Sequence, residues 1–519
     1  MTVNYSTICM KIDCNEATGS SRNTPTARDP PRTLDRRRNL LKTLKQNNSV
    51  IYLEPKKLFF SISASCNFLF LREPSVKEPL QTQQRQDSNM FKFFKSGFFD
   101  FEFLRVLGSA PFQGAEIGEC LDARSKLKDD DPELWYETWN AWGDEASKLG
   151  EEALASGDKV AGRWAFLRAS NYYRSSEFFL HLNPQDPRLL ASIQKSAYAH
   201  DRGVALLDSE VISFSIPYDK GLELPARLYM PTAESRVPGR VPVILQTGGL
   251  DSTGEELYFY GAAGAIPRGY AVLSFDGPGQ GLSIRRDGTT LRPDWEYVTG
   301  KVLDYLFNVL EPENERLELD LDRIAVLGAT MGGYFALRAA SDSRIKACIS
   351  CDGFYNMFDI VKSRMPGFFI NGWLSGTISD NLFNSVSRFM SKFNFQLAWE
   401  FAQNEWCYGV QSPAEMMRFM QTMTLQSPEG TEYLDRVRCP VLVTGAEQAI
   451  YFEPRMNAER IMDNLGHLDE ADKQLWVGEA PAKGGLQAKI GSLSIMNQRQ
   501  FEFLDRQFGI QRFVPCKHI

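Results

Sequence analysis

The stretch Ile324-Ala325-Val326-Leu327-Gly328-Ala329-Thr330-Met331-Gly332-Gly333-Tyr334-Phe335-Ala336-Leu337 constrains this chain more than any other. An apolar strand runs into a Gly-x-Thr-x-Gly-Gly turn, and an Ala-rich helix leaves it. A turn of this kind lifts the hydroxyl at its apex above the end of the strand, and its glycines allow helix and strand to approach closely. Thr330 is β-branched and poorly suited to the strained, positive-φ backbone of such an apex. The flanking Gly328, Gly332 and Gly333 keep the turn tight, so the geometry is expected to survive the threonine. A threonine hydroxyl can be a nucleophile, but it needs a base and is more crowded than that of serine.

Around this stretch, apolar runs alternate with helical segments. Val211 to Ile216 and Leu222 to Tyr229 alternate like half-buried antiparallel strands. Val241 to Leu245, Ala271 to Phe275, Arg323 to Leu327, Ile345 to Ser350, Val441 to Val443 and Gln474 to Val477 then predict a mostly parallel sheet covered by helices on both faces. Residues 90–209 read as a helical domain. Its Asp131-Pro132 pair is a cap and first turn, and Trp135, Trp139 and Trp142 fall on one helical face. Further helices are expected over Val160 to His181 and Pro187 to Leu207. Residues 210–511 form the α/β domain, and the aromatic- and Met-rich insertion 354–427 is placed as a helical lid.

Residues 1–89 differ in texture, being rich in Pro, Ser, Thr and Arg without a sustained apolar period. They are expected to be a disordered or non-native extension, with Met90 as an alternative natural start. Asp13, Glu16, Asp29 and Asp35 count against a mitochondrial presequence. Residues 512–519 are read as a polar C-terminal tail. The net charge of -7 argues against a nucleic-acid surface, and no apolar run approaches the roughly 18 residues that span a bilayer. The N-terminus lacks a secretory pattern, and the cysteines number nine and are scattered, so free thiols and a cytoplasmic location are expected. Cys348 and Cys351 form a C-x-x-C read as core packing, and neither a metal nor a cofactor is expected.

The candidate chemistry gathers at strand ends. Gln246 to Glu256, following Val241 to Leu245, carries Gly248-Gly249, whose N–H groups can hold an oxyanion together with the N–H of Met331. Phe275-Asp276-Gly277-Pro278-Gly279-Gln280-Gly281 is a rigid turn without the Lys-Ser/Thr pair of a phosphate loop. The candidate catalytic set is therefore Thr330, Met331 and Gly249. A base is harder to find. The chain has four histidines, and His181, His200, His467 and His518 all lie outside 478–490, the loop after the last strand. His181 reaches the site only if the helical domain caps the sheet. Glu447 and Asp352 are the candidate acids.

Gly-Gly-Leu-Asp-Ser-Thr-x-Glu-Glu (248–256), Phe-Asp-Gly-Pro-Gly-Gln-Gly (275–281), Gly-x-Thr-Met-Gly-Gly-Tyr (328–334) and Arg-Ala-Ser-Asn-Tyr-Tyr-Arg-Ser (168–175) together resemble the fungal secondary-metabolite α/β-hydrolases. These are the hydrolases of fusarin, cytochalasan and melanin-precursor pathways, related to carbon–carbon-bond hydrolases of bacterial nicotine breakdown. The resemblance covers about residues 90–511. It implies an α/β-hydrolase fold with a Ser–His–Asp triad: Ser at the place of Thr330, Asp near Gln448, and His where this chain has Gly485-Leu486-Gln487. It also implies that Tyr172, Arg174 and Glu255 face the site.

Loss of a triad Ser or His typically removes on the order of 10⁶ in turnover, while binding and the oxyanion hole keep roughly 10³–10⁴ over water. The resemblance implies an enzyme of polyketide or polyketide–peptide biosynthesis that acts on a carbonyl of an intermediate by hydrolysis, C–C cleavage or cyclisation. A non-hydrolytic binding or cyclisation scaffold is the alternative. The expected partner is a small polyketide-like substrate, with neither nucleic acid nor membrane, and a homodimer stays open.

Overall fold

A computed structural model describes residues 91–427 and 432–512. The expected extension 1–89 and the tail beyond Arg512 lie outside the described residues. The apolar runs form one eight-stranded sheet of order β1-β2-β4-β3-β5-β6-β7-β8. Its strands are β1 (Val211–Pro217), β2 (Glu223–Tyr229), β3 (Val241–Thr247), β4 (Ala271–Phe275), β5 (Leu319–Ala329), β6 (Ala347–Cys351), β7 (Val441–Ala446) and β8 (Lys473–Gly478). β1 pairs with β2, and β2 with β4, antiparallel, while every other pair is parallel.

The two kinds of pattern follow burial. β1 lies at the edge and alternates, whereas every residue of β3 is buried, as a strand covered on both faces requires. Alternate residues serve opposite cores: Val243, Leu245 and Val326 on one side, Ile244, Ala325 and Leu327 on the other. β5 starts at Leu319, four residues before the expected Arg323. Pro242 of β3 has no N–H to donate, and the β3–β5 register shifts between Pro242 and Val243, so the extra residues pair with the start of β3 through an irregularity.

Before the sheet come helices Gly97–Leu107, Ile117–Lys126, Pro132–Ala155, Lys159–Glu177 and Pro187–Val204. Asp131 caps Pro132–Ala155 by accepting from the Leu134 N–H at 3.0 Å. Trp135 and Trp139 are fully buried, and Trp142 is partly so. The helix expected to reach His181 stops at Glu177 and tightens into a 3₁₀ turn over Phe178–Leu182. Phe178 and Phe179 are thereby both buried, Phe179 stacking on Phe99 at 4.0 Å and Phe178 on Trp399 at 4.6 Å.

Between β6 and β7 run helices Met357–Arg364, Gly367–Leu374, Asp380–Ser391, Phe395–Tyr408 and Pro413–Thr422. Trp399 of this insertion donates its indole N–H to the Phe178 carbonyl at 2.8 Å, joining the insertion to the helices that precede the sheet. Cys348 and Cys351 are three apart on a strand and so point to opposite faces, where both are buried. No helix among the described residues is long and apolar enough to cross a membrane.

Trp135 packs edge-on against Phe99 at 5.5 Å and Phe179 at 4.8 Å, and its indole N–H donates to the Ser175 carbonyl at 2.8 Å. Trp135→Ala leaves a cavity and an unpaired carbonyl, and is expected to lower unfolding free energy by about 3–5 kcal/mol, measurable by denaturant titration.

Candidate active site

Thr330 joins the end of β5 to helix Met331–Ala339 at φ 53° and ψ −115°, a strained backbone for a β-branched residue. It is held there from below by its N–H, which donates to the Cys351 carbonyl at 2.8 Å. The Thr330 hydroxyl lies against Gly249: a Cβ placed on Gly249 would sit 3.0 Å from Thr330 Oγ1. Met331 occupies the first helical position, where an N–H has no acceptor within its own helix. The Gly249 N–H donates to the Ser252 hydroxyl at 2.9 Å, and the Gly248 and Gly249 carbonyls accept from the Gln280 amide at 2.8 and 2.7 Å. Thr330, Met331 and Gly249 are thus neighbours on the wall of one cavity of about 230 Å³.

Gln280 belongs to the rigid turn after β4, and that turn is locked by Asp276. Its carboxylate accepts from the Gly254 and Leu282 N–H groups at 2.7 and 2.8 Å. Burial, aided by the neighbouring Glu255 charge, pushes Asp276 up to about 6. A Cβ on Gly281, at φ 43°, would strike the Asp276 carboxylate at 2.1 Å, which explains the glycine there.

The upper walls of the cavity come from both helical parts. The insertion supplies Met357, Met365, Met416, Met417 and Met420, and helix Gly97–Leu107 supplies Phe101, Glu102 and Arg105. Arg105 is the hub of a largely buried charge cluster on the cavity wall, in which Glu102 is buried and Arg105, Asp251 and Glu256 are partly so. Its Nε and Nη2 donate to the two oxygens of Glu256 at 2.5 Å, and its Nη1 reaches Asp251 at 2.5 Å and Glu102 at 3.3 Å. Arg174 stands behind, with Nη1 3.6 Å from Glu256 and Nη2 donating to Asn171 at 2.9 Å. Burial pulls the Arg174 guanidinium down from its usual range. Burial works against ionised Asp251 and Glu256 too, but the Arg105 guanidinium outweighs it and holds both carboxyls below their usual range.

Of the four histidines in the chain, none among the described residues lines the cavity. His181 is buried beside Glu177 and Arg285, with Nε2 2.7 Å from the Glu177 carboxylate. His200 pairs with the Tyr229 hydroxyl at 2.9 Å, and burial depresses its basicity far below the ordinary imidazole value. His467 meets the Val437 carbonyl at 2.7 Å, and His518 is outside the described residues. Glu447 is exposed, so it does not serve as a buried acid.

Asp352 is buried directly behind the turn. Its Oδ1 lies 2.8 Å from Lys489 Nζ and accepts from the Thr444 hydroxyl at 2.7 Å. Lys489 also donates to the Gly445 carbonyl at 2.6 Å. Asp352, Ala488 and Lys489 all have positive φ, as Thr330 does, so backbone strain gathers where β5, β6 and the loop after β8 meet. That loop is joined to the loop after β7 by the Gln448 N–H, which donates to the Gly485 carbonyl at 2.9 Å. The loop presents Gln487 to the cavity, buried and with neither amide atom partnered.

Tyr172, Arg174 and Glu255 do not line the cavity. The Tyr172 hydroxyl donates to Glu119 at 2.7 Å, and Glu255 pairs with Arg227 at 3.0 Å. Asn171 and Glu256, the neighbours of Tyr172 and Glu255, take the wall positions instead. Glu102, Arg105 and Lys489 have no place among the expectations from sequence, and Gln487 enters them only as part of the segment where the resemblance implies a histidine. The available signal was Asp100, Glu102 and Arg105 embedded in a nearly continuous aromatic helix, since charges within a helix that is apolar all round must be buried and paired.

A sequence model of the α/β hydrolase fold matches residues 241–418. The 20-hydroxy-prefusarin hydrolase FUS2 of Gibberella moniliformis is 53% identical over 425 residues, covering 82% of this chain and 100% of that protein. The chain belongs to the fungal secondary-metabolite α/β-hydrolases. Hydrolase LUC6 of a Fusarium species is 54% identical over 423 residues (82% of this chain, 99% of that protein), and hydrolase acrC of Aspergillus aculeatus is 52% identical over 433 residues (82% and 99%). Among solved structures, the 2,6-dihydroxy-pseudo-oxynicotine hydrolase shares the fold, with a TM-score of 0.57 at 20% identity over 78% of this chain and 95% of that one. This member of the family is a hydrolase-fold enzyme with its elbow at Thr330.

The Asp352–Lys489 pair is fully buried, so removing the cation strands a carboxylate. Lys489→Met is expected to destabilise the fold by about 3–5 kcal/mol in denaturant melts. Asp352→Asn/Lys489→Met together should recover part of that loss.

Proposed function

We propose that this enzyme acts in fungal polyketide or polyketide–peptide biosynthesis, on a carbonyl group of a polyketide intermediate. The observation that carries this reading is the Thr330 hydroxyl, at φ 53° on the elbow and against Gly249, on the polar floor of a cavity walled by methionine and phenylalanine. A relative named as a 20-hydroxy-prefusarin hydrolase supports the substrate class, and relatives named hydrolase LUC6 and hydrolase acrC support the hydrolase chemistry.

A carbonyl oxygen seated at the elbow meets the Met331 N–H, at the positive end of its helix, and the Gly249 N–H, for which it competes with the Ser252 hydroxyl. Thr330 serves as a further hydrogen-bond donor to that oxygen. The flexible thioethers of Met357, Met416 and Met420 let the wall follow an irregular apolar chain. Hydrolysis, C–C cleavage and ring closure all begin by addition to such a carbonyl or end by expulsion from it, so one oxyanion site serves each. The absence of a cavity-lining histidine among the described residues favours a second reading, in which the cavity orients the intermediate without covalent attack by Thr330. The free, buried thiols of Cys120, Cys348, Cys351, Cys407 and Cys439 among the described residues support a cytoplasmic location.

Thr330→Ala in the producing host, with metabolites followed by mass spectrometry, should lower product formation by about 10²–10³ if the hydroxyl holds the oxyanion. Thr330→Ser should retain output. Undiminished product from Thr330→Ala would leave only the orienting role. Labelling of Thr330 by a phosphonate probe would instead make it a nucleophile.

A further inference from the structure

We propose that Glu102 is the catalytic base of this cavity, drawing the proton from the group that attacks the substrate carbonyl. The inference rests on the carbonyl reading above, and it supplies what the elbow lacks.

Glu102 lies on the cavity wall, one turn before Arg105 on helix Gly97–Leu107. Glu102, Asp251 and Glu256 draw on the same two guanidiniums. Glu256 takes the Nε and Nη2 of Arg105 at 2.5 Å, and Asp251 takes Nη1 at the same distance. Glu102 is left with a 3.3 Å share of Nη1. Arg174 is directed to Glu256 and Asn171. All three carboxylates line the cavity, the cluster holds one more of them than its two guanidiniums neutralise, and Glu102 is the least satisfied.

Burial pushes the Glu102 carboxyl up to about 7; Arg105 and Arg174 oppose the shift, while the charges of Asp251 and Glu256 reinforce it. A carboxyl divided between its two forms at neutral pH is poised for proton transfer in either direction. The other cavity groups are not so placed. Asp251 and Glu256 are held below the carboxylate range, and burial holds Tyr260 and Tyr451 far above the phenol range. Glu400 is engaged by Arg364 through both oxygens at 2.9 Å.

In the step assigned, the Glu102 carboxylate takes a proton from the nucleophile, which is water or a group of the substrate itself. The electron pair of the broken bond to hydrogen forms the new bond to the carbonyl carbon. The carbonyl π pair moves onto oxygen, held by the Met331 and Gly249 N–H groups. Glu102 then returns its proton to that oxygen where the adduct is the product; where a group is expelled, the oxyanion pair re-forms the C=O, the pair of the broken bond from the carbonyl carbon leaves with that group, and the Glu102 proton goes to it, so the carboxylate is restored on either route.

The test uses the full chain and the intermediate accumulated by a strain deleted for this gene. Wild-type kcat/KM should climb as pH rises through about 7, since the ionised form is the active one. Glu102→Gln should lower it at least about 100-fold and abolish the limb, and Glu102→Asp should restore part of the rate with the limb displaced. A Glu102→Gln enzyme that keeps the wild-type limb overturns the assignment whatever Thr330→Ala does. Loss of activity in Thr330→Ala alone would uphold the elbow and refute the base, and the reverse result would do the opposite. Infrared titration reads the group without substrate. A protonated-carboxyl band that fades across the same pH range, and that is missing or displaced in the Gln or Asp variant, supports the assignment. A band unaltered in both overturns it, even if the Gln variant folds poorly.

Discussion

The site depends on how closely helix Met331–Ala339 approaches the strand ends beneath it. A Cβ at Gly328 would lie 2.0 Å from the Gly332 carbonyl oxygen, one at Gly332 2.6 Å from the Thr247 oxygen, and one at Gly333 2.8 Å from the Gly353 Cα. These contacts are backbone on backbone, so no flexible side chain can yield. They leave Thr330 in its strained conformation, at a cost on the order of 1–3 kcal/mol that the surrounding packing overcomes. Trp295 stacks on Phe335 at 3.9 Å and on Phe275 of β4 at 6.4 Å, bracing the same helix against the strand end.

A second constraint carries the cavity walls. Arg105 reaches from the helices before the sheet to Asp251 and Glu256 in the loop after β3. Bidentate geometry fixes both direction and distance, so this one guanidinium sets where Phe101 and Glu102 stand relative to the elbow. Trp399 makes the matching tie from the insertion to the Phe178 carbonyl. Arg105 and Trp399 thus tie the parts that wall the cavity together through polar contacts set among apolar packing.

The sheet and the elbow were legible in the sequence because their signals are local. Alternation, apolar runs and glycine spacing all act within a few residues, and β4 was read to its exact ends, Ala271 and Phe275. The length of β5 was not legible, because it depends on how Pro242 of a neighbouring strand disturbs the register. Thr330, Met331 and Gly249 could be brought together from sequence alone since each follows the end of a recognisable strand. Glu102 could not. The carboxylates that compete with it for Arg105, Asp251 and Glu256, lie 146 and 151 positions from that arginine. Gln487 stands in the sequence only as a departure from a histidine-bearing loop, whereas in the structure its amide is buried and unpartnered, beside Ala488 and Lys489, both at positive φ.

Glu256, and not its neighbour Glu255, reaches the cavity wall. Neighbouring residues on a helix point about 100° apart. Glu255 therefore turns to Arg227 on β2 and to the region of Asp276, while Glu256 turns to Arg105 and the cavity. Resemblance transmits the backbone of the loop, and the direction of each charge is then set by which guanidinium waits on which side. The same holds for Glu102. It is one acidic residue among phenylalanines in the sequence, and its acid–base character arises only when Arg105, Arg174, Asp251 and Glu256 converge on it from three separate elements. In this protein, the chemistry of the cavity belongs to that convergence more than to any single motif.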